Sequence, residues 1–178
     1  MPGGTLSAYL HGREHYSLPP ETVVRLALDV ARGMECLHAE GVVHRDLKSQ
    51  NLLLDGGGRV KVADLGSSCL VATGGAEKRT SPTGTYRWMA PEMIRGRRCS
   101  RKVDVYSFGV VLWELTTCLL PFQDLNPMQA AYAVVDRNAR PPLSPWCPSA
   151  INALIEKCWS DKPVRRPEFS LVVSVLEI

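Results

Sequence analysis

The chain has 178 residues, the length of a single domain. An apolar fraction of 45% excludes wholesale disorder and can furnish a core. Against 18 Asp and Glu there are 21 Lys and Arg, and the net charge of +3 is too small to point to nucleic acid as a partner.

Two local basic clusters, Arg95-Gly96-Arg97-Arg98 and Lys162 to Arg166, read as solvated loops. The six cysteines, at 36, 69, 99, 118, 147 and 158, form no C-x-x-C pair and no zinc-like spacing. Several lie in apolar runs, where a reduced cysteine packs as a small hydrophobe, so a reducing compartment is expected rather than a disulfide framework. No opening stretch resembles a signal peptide. The longest apolar run, Val103 to Phe122, carries Asp104 and Glu114, so no transmembrane segment is expected. The expected location is cytoplasmic, with nuclear or peripheral membrane placement compatible with the same features.

In chain order, "MPGGTLSAYL" reads as a turn and a short helix. Pro19 and Pro20 open a longer one, with Glu21 in its first turn where an anion suits the helix dipole. Val23, Ala27, Val30, Met34 and Leu37 recur at helical spacing, and Gly41 is a good terminator, so this helix is predicted over about 20–39. Next comes "VVHRDLKSQNLLL" (42–54), in which His, Arg, Asp, Lys and Asn stand between two apolar runs. Leu52–Leu54 and Val60–Val62 read as strands joined by "DGGG" at 55–58. No helix follows those glycines, which makes them a turn and not a phosphate cradle. Residues 67–85, rich in Ser, Thr and Gly, form a long loop. "RKVDVYSFGVVLWELTT" (101–117) is apolar almost all round and belongs in the middle of a domain. Further helices are predicted near 127–136, 149–159 and 167–177. The fold class is mostly α with a small β-hairpin.

"HRDLKSQN" resembles the protein-kinase catalytic loop, H-R-D-x-x-x-x-N. In family order follow "ADLG" (63–66) where D-F-G would stand, "APE" (90–92), and "DVYSFG" (104–109), so the resemblance covers the whole chain. It implies a kinase-like C-lobe, with residues 1–178 a partial protein kinase domain and 64–92 its activation segment. ATP and Mg²⁺ are the implied cofactors, and protein substrates the implied partners.

Phosphoryl transfer needs alignment of the attacking hydroxyl and neutralisation of phosphate charge more than covalent help. Asp46 would orient the hydroxyl and accept its proton, and Lys48 would reach the transferring group. Asn51 and Asp64 would supply oxygen ligands to Mg²⁺. By the same resemblance Asp104 hydrogen-bonds the catalytic-loop backbone, Glu92 and Arg166 form a structural ion pair, and His44 packs. "GTYRWMAPEM" and "KCWSDKPVRRPEF" are similar to the tyrosine-kinase-like group. "VKVADLGSSCL" and "RKVDVYSFGVVLWELTTCLLPF" are most similar to plant Raf-like kinases. Thr85 would then contact Asp46 and Lys48 and favour Ser/Thr substrates. Leu65, in place of the usual phenylalanine, keeps that position apolar.

The 41 residues before the loop hold no G-x-G-x-x-G and no V-A-I-K-type lysine, so the N-lobe is expected to be absent from this chain, and the chain alone is expected to bind Mg-ATP very weakly and to be inactive. Two functions fit: a serine/threonine kinase seen as its catalytic lobe, or a non-catalytic docking module lacking ATP binding. An enzyme of this kind is further expected to be switched on by an upstream activating kinase. Arg45, read as an unpaired cation beside Asp46, would meet a phosphate placed between Ser67 and Thr83, with Thr80, Ser81 and Thr83 the best-placed acceptors.

Overall fold

Residues 2–12, 17–70, 85–97 and 100–178 are described by the structure, a computed structural model. Helix α1 (Leu6–His11) starts where Thr5 Oγ1 accepts the Ala8 N–H at 3.1 Å. Helix α2 (Pro20–Ala39) has proline at its first position, and Gly41 follows its end with φ +71°. Its buried stripe comprises Val23, Leu26, Ala27, Val30, Ala31, Met34 and His38. Leu37 is only half-buried and packs at the edge of the core.

Four short strands follow. β2 (Leu52–Leu54) and β3 (Val60–Val62) pair antiparallel with Leu53 opposite Lys61, as the sequence pattern predicts. Gly58 takes φ +72° in the connecting turn, and Asp55 Oδ1 accepts the N–H groups of Gly57 and Arg59 there. β1 (Val42–Val43) pairs with β4 (Cys69–Leu70), also antiparallel. This second ribbon corrects the reading of 67–85 as loop throughout. It brackets the 44–64 stretch between its two strands and brings both ends of that stretch together.

Helix α3 (Pro91–Ile94) is one turn long. Helix α4 (Lys102–Thr117) is the centre of the molecule, with every residue from Val103 to Leu115 buried. Helix α2 and helix α6 (Ser149–Cys158) pack on it. A Cβ on Gly109 would come within 2.9 Å of the Cys158 Cβ, so only glycine admits α6 at this distance. Helix α5 (Pro127–Asp136) opens with a reciprocal cap: Asn126 Oδ1 accepts the Gln129 N–H, and Gln129 Oε1 accepts the Asn126 N–H. Helix α7 (Phe169–Leu176) lies against α2. The predicted ends at 159, 167 and 177 thus fall within two residues of the observed ones.

A helix buried on all sides must satisfy its polar groups internally. Ser107 Oγ donates to the Trp88 carbonyl at 2.8 Å. Glu114 accepts from Ser49 Oγ at 2.8 Å and from Trp88 Nε1 at 2.7 Å. Burial pushes the Glu114 carboxyl up to about 8, although these two donors pull it down. Between the ordinary value near 4.5 and about 8 the folded chain keeps a proton that the unfolded chain releases. Stability therefore falls as pH rises through that window. Glu114→Gln should abolish this slope. Urea unfolding at pH 5 and pH 8.5 should show wild type losing on the order of 3 kcal/mol relative to the variant. Parallel pH dependences would mean that Glu114 is ionised throughout.

Candidate active site

The loop from His44 to Asn51 hangs from a carboxylate on α4. Asp104, fully buried, accepts the His44 N–H at Oδ2 and the Arg45 N–H at Oδ1, both at 2.8 Å. His38 Nε2 donates to Oδ2, also at 2.8 Å. Two successive amides can converge on one side chain because Arg45 lies in the left-handed region, at φ +65°. Such a conformation costs a non-glycine residue about 1–3 kcal/mol, and the three bonds to Asp104 hold it. His44 closes the loop from the other side. Its Nε2–H donates to the Ala63 carbonyl at 3.0 Å, and its Nδ1 accepts the Asp46 N–H at 3.2 Å. With both ring nitrogens engaged, His44 positions Asp46 and has no free nitrogen for proton transfer.

Asp46, Lys48, Asn51 and Thr85 meet in one cluster. Lys48 Nζ lies 2.9 Å from Asp46 Oδ2 and donates to Thr85 Oγ1 at 3.0 Å. Asn51 Nδ2 donates to the Asp46 carbonyl at 2.8 Å and to Asp46 Oδ2 at 3.0 Å. Asp46 Oδ1, by contrast, is buried and has no hydrogen-bond partner among the described residues. A carboxylate oxygen withheld from water and unpaired costs about 1–3 kcal/mol or more, so this atom stands ready for an incoming donor.

The β2–β3 hairpin brings Asp64 to the same place. The Ala63 N–H donates to the Asn51 carbonyl at 2.9 Å, which puts Asp64 one residue from a backbone bond to Asn51. Asp64 is a second left-handed residue, at φ 62°, and is exposed. The donor set fits Mg²⁺. Both N–H groups of the Asn51 amide are taken by Asp46, which leaves its oxygen to face a ligand, and Asp64 offers a carboxylate. Among the described residues no group of three or more His, Cys, Asp or Glu could hold a metal unaided. Mg²⁺ does not need one, because it is held by one or two protein oxygens together with phosphates and water.

Glu92 and Arg166 lie away from this cluster, paired at 2.6 and 3.0 Å in a buried fork. Thr80, Ser81 and Thr83 lie outside the described residues. The reading of Arg45 as unpaired is corrected: its Nε donates to the Ser67 carbonyl at 2.7 Å, because the β1–β4 ribbon carries Ser67 back over the loop. Sequence reasoning missed His38, Ser49 and Trp88 as supports. Each reads as an ordinary helix, loop or aromatic residue, and only the partners on α4 reveal its use. The isolated carboxylates in the apolar 103–115 run were the available signal.

The profile of the family described as "Protein tyrosine and serine/threonine kinase" matches residues 1–176. The chain is 59% identical over 177 residues to the Arabidopsis thaliana serine/threonine/tyrosine-protein kinase HT1, covering 99% of this chain and 45% of that protein. It is 42% identical to the A. thaliana serine/threonine-protein kinase STY46, covering 99% and 30%. To the Rattus norvegicus mitogen-activated protein kinase kinase kinase 11 it is 39% identical, covering 98% and 21%. The chain belongs to the protein kinase family. Within it, the chain falls in the tyrosine-kinase-like, Raf-like group, and its fold is that of a kinase C-lobe. The chain spans less than half the length of these relatives.

Proposed function

We propose that these residues are the catalytic lobe of a protein serine/threonine kinase that transfers the γ-phosphoryl group of ATP to hydroxyl groups of protein substrates in intracellular signalling. Residues 1–178 are then a partial kinase domain. The observation that carries the reading is the unpaired Asp46 Oδ1, held beside Lys48 and Asn51. A substrate hydroxyl would donate to Oδ1 and pass its proton there. Lys48 lies next to the position where charge develops, and its bond to Thr85 ties it to the turn that receives the substrate. Asn51 and Asp64 would hold Mg²⁺, which neutralises phosphate charge when bound with ATP.

The Lys48–Thr85 contact supports Ser/Thr specificity, and the relatives include a serine/threonine/tyrosine-protein kinase and a serine/threonine-protein kinase. The test is incubation of the full-length kinase that contains residues 1–178, its ATP-binding lobe included, with Mg-ATP and myelin basic protein, followed by phosphoamino-acid analysis. Phosphoserine and phosphothreonine are expected. No transfer, or phosphotyrosine alone, would overturn the reading. Asp64→Asn should raise the Mg²⁺ concentration needed for half-maximal rate roughly tenfold or more, because a hard anionic ligand becomes neutral. A Mg²⁺ titration checks it, and an unchanged midpoint would remove Asp64 from the metal site.

No helix among the described residues is long and apolar enough to cross a membrane. Cys36, Cys69, Cys147 and Cys158 are free thiols, which supports action in a reducing compartment such as the cytoplasm. Activation by an upstream kinase at Thr80, Ser81 or Thr83 remains part of this proposal. Its physical support is that the terminal nitrogens of Arg45 make no hydrogen bond among the described residues, so they can still meet a phosphate.

A further inference from the structure

Glu114 joins two parts of the site that are far apart in sequence. Ser49, which donates to its Oε1, opens the 3₁₀ turn Ser49–Asn51 and so sits two residues before Asn51. Trp88, which donates to its Oε2, ends the 3₁₀ turn Tyr86–Trp88 that Thr85 starts. From behind, a single buried carboxylate thus holds the turn carrying Asn51 against the turn carrying Thr85. In front, the Lys48–Thr85 bond spans the same gap.

A third group faces the carboxylate. His11 on α1 places Nε2 3.5 Å from Glu114 Oε1, and that nitrogen is buried without a hydrogen-bond partner among the described residues. Its other nitrogen, Nδ1, lies 3.3 Å from Ser7 Oγ. Among the described residues no other charged group lies within ion-pair distance of Glu114; Ser49 and Trp88 are its neutral donors. An indole N–H can only donate, so Oε2 must always accept. Any proton on Glu114 therefore resides on Oε1, between Ser49 Oγ and His11 Nε2. The serine hydroxyl can donate or accept, so both ties survive in either protonation state and only their strength changes.

We propose that Glu114 is a positioning residue for phosphoryl transfer, setting the spacing between the Asn51 turn and the Thr85 turn, with His11 as its proton partner. This rests on the kinase reading above. Cutting the tie lets Thr85 and Lys48 drift relative to Asp46 and Asn51, and displacements of about 1 Å at such a site cost roughly 100-fold in rate.

The experiment uses the whole protein. Glu114→Leu keeps the volume, removes a buried ionisable group and need not lower stability. It should nevertheless reduce kcat roughly 100-fold, well beyond any change in melting temperature. Glu114→Gln should restore most of the activity, because its amide oxygen accepts from Trp88 and its amide N–H donates to Ser49. A role in stability alone would not produce that split. If Glu114→Leu does not fold, Ser49→Ala carries the test, since it cuts only the tie to the Asn51 turn and should also lower kcat. Independently of activity, the Trp88 indole N–H resonance should titrate near pH 8 in wild type and be flat in Glu114→Gln. Wild-type kcat in Glu114→Leu or Ser49→Ala would overturn the positioning role, and a Trp88 resonance that does not titrate would overturn the proton partnership with His11. A wild-type protein without phosphotransfer would overturn the kinase reading instead, and a shift of the Trp88 indole N–H resonance between wild type and Glu114→Leu would then decide whether the tie to Glu114 exists.

Discussion

Asp46→Asn lowers kcat by roughly 10²–10⁴-fold while leaving the KM for ATP nearly unchanged, the range expected when a general base is removed. Asparagine matches aspartate in shape, so the bond from Asn51 Nδ2 to the backbone carbonyl of residue 46 survives. What disappears is charge. Lys48, 2.9 Å from Asp46 Oδ2, loses its counterion, and the unpaired Oδ1 loses its capacity to take a hydroxyl proton. Every polar contact that Asp46 makes among the described residues is within its own loop, which is why nucleotide affinity should not follow. Steady-state kinetics on a protein substrate, with ATP varied, measures both quantities. Turnover within about threefold of wild type would remove Asp46 from the chemistry, given the cost expected for a lost base.

How much of this was legible beforehand depends on the range over which each interaction acts. The long helices were readable because their signal is local. In α2 the apolar stripe repeats at helical spacing between a proline start and a glycine stop. In α4 a run without a polar face can only be a central element. The β2–β3 hairpin was readable because its turn residues lie between its strands. The β1–β4 ribbon was not, because two-residue strands have no period and their pairing joins Val42 to Leu70. Missing that ribbon also caused the error at Arg45, whose partner Ser67 is delivered by it.

The site divides in the same way. Asp46, Lys48, Asn51 and Asp64 stand in a spaced pattern, and the pattern points to phosphate chemistry. Their supports carry no pattern. His38 lies 66 positions from Asp104, and Ser49 lies 65 from Glu114. A buried carboxylate on an apolar helix announces that donors must exist somewhere, but the sequence does not say which ones. Under the proposed kinase function the donors belong to the elements that would have to be held still for transfer: the 44–51 loop and the Thr85 turn. Polar groups in α4 therefore serve as anchors for the site and not as breaks in the core.

Arg166→Met destabilises the fold by roughly 3–5 kcal/mol, because it leaves the Glu92 carboxylate without its cation in a place where water cannot replace it. The guanidinium of Arg166 is 1% exposed and spends all five of its N–H donors. Nη1 donates to Glu92 Oε1 and the Lys102 carbonyl, and Nη2 to Glu92 Oε2 and the Asp161 carbonyl. Nε donates to the Ser160 carbonyl at 2.8 Å. The side chain also lies over the Tyr106 ring, 5.1 Å from its centroid. It thereby pins the segment before α7 to α3 and to the start of α4, and a methionine would take a donor away from three backbone carbonyls as well. Against a total stability of about 5–15 kcal/mol the loss is large, and the melting temperature should fall by about 10 °C or more. Glu92→Met with Arg166→Met should be less damaging than the sum of the two single changes, since removing both charges leaves no orphaned ion. Urea denaturation of the four proteins of this cycle measures the coupling. A melting temperature for Arg166→Met within about 2 °C of wild type, less than 1 kcal/mol for a chain of this size, would show that the pair is not what joins these elements.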